Sequence, residues 1–158
     1  MMKLLRFVPL ILILIYSSCE KNNELVDITS DCEFPEIIVS SCFYGSPPPE
    51  YYELVFRDNE SYREYGDIVK INPINLNCDT AQLLAIDFSK YTLLSKMIMG
   101  GGCSANFDRK VFMDVGNRKI IYQVKADFVG SCEMLITNRN WVLIPAITNN
   151  YTVEFRVK

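Results

Sequence analysis

The polarity of the chain alternates in some stretches and runs in apolar blocks in others. Residues 51–57 (YYELVFR) alternate, with Tyr52, Leu54 and Phe56 on one side, and predict a strand. Residues 58–69 change period. Tyr62, Tyr65 and Val69 fall on one helical face behind Asn59 as N-cap and Glu60 in the first turn, and Gly66 keeps the predicted helix short. Residues 71–81 read as loop, and the apolar stretch 83–99 as strand for much of its length. Gly100, Gly101 and Gly102 predict a turn. Two alternating runs then flank Gly116 and Asn117, a pattern that predicts a two-residue type II′ hairpin. On its second strand Ile120, Tyr122, Val124, Ala126 and Phe128 share a face. CEMLITN and WVLIPA predict two further strands, with Trp141 as a core anchor. In the last run Tyr151, Val153, Phe155 and Val157 point inward. One-sided alternation is the mark of antiparallel sheets covered on one face. The predicted class is α+β: a twisted, mostly antiparallel β-sheet with one short packing helix.

The N-terminal third is built differently. Lys3 and Arg6 precede a ten-residue apolar run, 7–16, about half of what crosses a bilayer. A basic start, a short apolar core and small residues describe an export signal. Tyr16, Ser17, Ser18 and Cys19 resemble a bacterial lipobox, with Tyr where Leu is usual. The resemblance implies cleavage after residue 18 and acylation of Cys19, fastening the chain to a lipid bilayer in the cell envelope, periplasmic or on the outer surface. An ordinary signal peptide cut near Ser18 is the other reading. Residues 1–18 are then the signal peptide, 19–36 a polar tether with little order, and 37–158 one α+β domain. Within it residues 36–45 predict a strand. The SPPPE stretch at 46–50 predicts a stiff linker, with docking of the prolines in an aromatic groove as the lesser alternative.

Charge and cysteine narrow the chemistry. Lys3 and Arg6 leave with the signal, so the net charge of −3 becomes −5. An acidic surface without a basic cluster argues against nucleic acid, whose binding rests on neutralised phosphates. Six cysteines suit an oxidising compartment. With Cys19 acylated, five remain. Cys103 and Cys132, each following a glycine turn, form the favoured disulfide. Cys32 with Cys42 is the weaker second pair, leaving Cys78 free. No C-x-x-C occurs and there is no histidine, so no metal site or cofactor is expected. The missing histidine also removes Ser–His and Cys–His nucleophile pairs. Asp87, Asp108, Asp114, Asp127 and Glu133 are the carboxylates open to a hydrolase, and their spacing carries no sign of convergence.

FRDNESYREY, IDFSKYTLLS, GGGCSANF, WVLIPA and YTVEFRV together resemble the small PrcB-like domain, named for a subunit that stabilises a surface protease complex. The likeness spans residues 56–157. It departs at the glycine turn, where G-G-G-C stands for the usual T-G-G-Y, and there it resembles a cysteine-bearing branch among small Gram-negative lipoproteins of no known activity. The resemblance implies a non-catalytic module that binds and supports an envelope protein, a protease among the candidates. Its expected contacts are Gly100, Gly101 and Gly102 with the neighbouring strand ends. The alternative is a ligand- or glycan-binding lipoprotein using Tyr44, Tyr51 and Tyr52.

Overall fold

A computed structural model describes residues 24–35, 49–71 and 84–158. The signal, Cys19, Cys42, Tyr44, Cys78, the strand expected at 36–45 and most of the 71–81 loop lie outside them. The elements run β1 (Leu25–Asp27), β2 (Glu53–Phe56), α1 (Asn59–Ile71), β3 (Tyr91–Gly101), β4 (Ser104–Asp114), β5 (Lys119–Val129), β6 (Leu135–Pro145) and β7 (Thr152–Val157). The α+β class holds. The strands divide into two sheets, ordered β1-β4-β5-β7 and β2-β3-β6. Among the described residues every strand pairing is antiparallel except β5 with β7.

The layers follow from register. On β3 and β6, Leu94 sits opposite Val142, and both face the larger sheet. Leu93 sits opposite Leu143 and Ser95 opposite Trp141, facing α1. The central sheet is therefore covered on both sides, which is why its strands read as apolar runs rather than alternations. Between the sheets Leu94, Ile98, Val142 and Ile144 meet Val111, Ile120, Tyr122 and Val124. On the other side Phe56, Leu93, Trp141 and Leu143 meet Tyr62 and Tyr65 of the helix.

Several expectations change. The tether predicted over 19–36 ends earlier: β1 pairs with β4, and Glu33 exchanges two backbone bonds with Leu143 at 2.7 and 2.9 Å. Ile28 N–H donates to Val111 O at 2.9 Å, so residues 28–33 pass from the edge of one sheet to the edge of the other and close that seam. The cause is the apolar Ile28, buried among the inter-sheet residues. Cys32 is a free thiol, against the expected Cys32–Cys42 pair. It donates to Ile28 O at 3.2 Å, and burial, then Asp31 and Asp27, push its pKa up to about 11.

The helix is capped one residue earlier than predicted. Asp58 accepts from Ser61 N–H at 2.8 Å, and Asn59 is already helical. Gly66 does not shorten it: the helix runs 13 residues, and Gly66 is buried within it. The hairpin turn has four residues, not two, since Asp114 pairs with Lys119. Asp114 accepts from Asn117 N–H at 2.9 Å, and the left-handed position falls on Arg118 at φ 50°, so Gly116 supplies no positive φ. The two strands expected around Trp141 are one, β6, of 11 residues. Val157, expected inside, is 52% exposed at the end of β7.

On the parallel pair, Glu154 accepts from Arg156 Nε at 2.6 Å and Lys119 Nζ at 2.9 Å. These partners, Arg156 first, hold its carboxyl down at about 2, against the ordinary 4.5. A folded pKa below the unfolded one means that the unfolded chain binds more protons in that window. The stabilisation is thus complete above about 4.5 and is lost as pH falls through about 2. Glu154→Gln is expected to flatten the acid limb of stability against pH across that window, read as urea midpoints. An unchanged limb would mean that the pairs are not held in solution.

Candidate interaction surface at the disulfide-braced end

The chain crosses from the smaller sheet to the larger between β3 and β4, and back between β5 and β6. Both crossings lie at one end of the molecule. Gly102 N–H donates to Met134 O at 3.1 Å, and Cys103 N–H to Val129 O at 2.8 Å. One cysteine sits in each crossing, and they are bonded: Cys103–Cys132, with Cα atoms 4.8 Å apart. Gly130 turns the second crossing at φ 90°, a conformation that L side chains rarely adopt.

The three glycines are not a free loop. Gly100 and Gly101 belong to β3, opposite Ile136 and Leu135. A Cβ at Gly100 would stand only 2.3–2.6 Å from three carbons of the Phe128 ring, which fills the space left by the missing side chain. Gly102 is buried, and a Cβ there would press on Val129 O at 3.1 Å. Only Gly101 is open, its would-be Cβ meeting nothing nearer than Met134 O at 4.0 Å. The glycines act as packing space, and what they expose is their neighbours. Val129, Met134 and Leu135 are 51%, 58% and 68% exposed, around an exposed disulfide. The glycines that sequence reading named are packing positions, and the exposed side chains are their neighbours; an apolar residue at a strand end carries no mark of which way it points.

The other candidates disperse. Tyr51 packs against the helix-side core, and Tyr52 is half-buried with its carbonyl accepting from Met97 N–H at 2.8 Å. Asp87 accepts from Ser89 Oγ–H and pairs with Lys90 at 3.2 Å, which hold its carboxyl below the usual range. Asp114 is held low by Asn117 in the hairpin turn, and Asp127 pairs with Lys125 at 3.1 Å. Asp108 and Glu133 are exposed, Glu133 at the braced end and Asp114 at the opposite one. No cluster of three metal-ligating side chains occurs among the described residues. A groove of about 220 Å³ lies between Asn59, Tyr62, Arg63 and residues 84–86. That is below the ~300–1,000 Å³ of sites that enclose small molecules.

One feature escaped sequence reading. Arg139, on β6, is 7% exposed and faces the helix side. Its Nη1 donates to Tyr51 O at 2.8 Å and Ser95 Oγ at 3.1 Å, and its guanidinium lies 5.8 and 5.7 Å from the Tyr65 and Trp141 rings. Spacing could have found it, since Arg139, Trp141 and Leu143 share one strand face.

Comparison with protein-family models, curated proteins and solved structures finds no match for this chain.

Proposed function

We propose that this protein is an envelope lipoprotein, anchored through an acylated Cys19, that acts as a non-catalytic protein-interaction module. Its docking surface is the apolar, disulfide-braced end. The observation that carries the reading is that Met134 and Leu135, both more than half exposed, adjoin the disulfide-tied crossings. Exposed apolar groups cluster where partners bind. The support is rigid because two sheet crossings are tied by one covalent bond, which lowers the ordering cost of docking. The place where the chain enters the fold supports this reading too. β4 runs from Ser104 at the braced end to Asp114, whose partner Leu25 lies on the anchor side. Its 11 residues span ~33 Å, so the braced end stands clear of the point where the tether joins. The resemblance to the PrcB-like domain supports an envelope protein as partner, with a protease among the candidates.

Crosslinking in intact envelopes tests this, beside a Cys19→Ser control. The native chain is expected to recover one envelope protein in near-equal amount. Met134→Asp with Leu135→Asp changes only exposed side chains, so the fold should survive. It is expected to weaken capture by about 2 kcal/mol, roughly thirtyfold. Undiminished capture by that variant, with the native circular dichroism spectrum, would remove the braced end as the docking surface.

A further inference from the structure

The opposite end of the molecule is apolar too. Leu25, Val26 and Val115 are 48%, 40% and 56% exposed. They are neighbours by register: Leu25 sits opposite Asp114 and Val26 opposite Met113, and Val115 opens the four-residue turn. Arg118 is exposed in the same turn; Lys119 is paired with Glu154, Asp114 is engaged by Asn117, and Glu24 precedes Leu25. An apolar tip with one long cationic side chain, Arg118, beside it suits the boundary between acyl chains and headgroups, where the charge reaches water while its stem stays apolar.

What covers this end is indicated by the chain that leads into it. Leu25 follows Cys19 by six residues, a reach of ~20 Å at full extension. We infer that the β4–β5 hairpin end, with Leu25, Val26 and Val115, seats on the lipid surface to which Cys19 is fastened. The inference rests on the Cys19 anchor proposed above. It adds a second, direct membrane contact and fixes the direction of the long axis. A molecule lying on its side would press the outward positions of the larger sheet into lipid. Those are Asn106, Asp108 and Lys110 of β4, opposite Asp127, Lys125 and Gln123 of β5. Burying such groups without partners is unfavourable. The upright arrangement wets that flank, covers the hairpin end and points Met134 and Leu135 away from the membrane.

The test uses full-length acylated protein in phosphatidylethanolamine–phosphatidylglycerol vesicles with brominated acyl chains. Val115→Trp and Leu135→Trp are compared, over a common background from Trp141, which is 2% exposed. Val115→Trp is expected to lose about half its added emission to bromine at the boundary depth, and Leu135→Trp none. If both are quenched alike, the molecule lies flat and the inference fails. If neither is quenched in protein whose mass carries the acyl chains, the anchor stands and the seating is wrong. A blue-shifted Val115→Trp that bromine does not reach would place a second copy there and also overturn it. Protein without acyl mass that does not bind vesicles would remove the anchor itself, and the seating with it.

Discussion

Cys103→Ser is expected to lower stability by about 3.5 kcal/mol under oxidising conditions, with a melting temperature roughly 10 °C below that of the native chain. The cysteines are 29 residues apart, and closing a loop of that length removes unfolded-state entropy worth about this much. The folded state should change little, because the two crossings are also held by backbone bonds from Gly102 to Met134 and from Cys103 to Val129. The effect should therefore vanish under reducing conditions, where the native chain loses the same constraint. Both cysteines are exposed, so a mild thiol should suffice. Equal melting temperatures of variant and native chain without reductant would mean that the bond does not form, and with it would go the rigid support proposed for Met134 and Leu135.

This disulfide was legible because the glycines before each cysteine marked two turns, and turns at strand ends come together when the strands pair. The helix and most strands were legible for a similar local reason. Tyr62 and Tyr65 repeat at the helical period, and residues 122–128 alternate. What could not be read was anything decided by the second sheet. Alternation shows that a strand has a buried face, not which layer buries it, so one sheet was expected where two pack together. β7 was placed, but its parallel pairing with β5 depends on a crossover between sheets that no local pattern encodes. The seam closed by Ile28 and Glu33 was lost because a short polar stretch with one apolar residue looks like a linker until its backbone partners are known. Gly100 was read as freedom, whereas it is the space for Phe128, from a strand nearly thirty residues away. The membrane-facing reading of Leu25 and Val115 needed the register of β1 on β4, which the sequence hides.

Arg139→Ala is expected to cost about 4 kcal/mol. Truncation leaves a cavity beneath Tyr65 and Trp141, and it leaves Tyr51 O and the fully buried Ser95 without the donor they share. Arg139→Met separates the two losses. It keeps the apolar stem between the rings but not the donors, and should cost about half as much. Arg139→Lys gives the pH signature. Burial already lowers the Arg139 pKa, and it pushes the Tyr65 hydroxyl up to about 12. A lysine there would have its ammonium disfavoured in the same way, with a folded pKa below the unfolded one. The unfolded chain then binds more protons, so the stability of Arg139→Lys should rise with pH on the alkaline side relative to the native chain, whose guanidinium keeps its charge. Urea midpoints from neutral pH upward measure all three. A loss below about 1 kcal/mol for Arg139→Ala would show that the arginine sits in the aromatic cluster without holding it together, and that the helix is fixed to the sheet by its tyrosines alone.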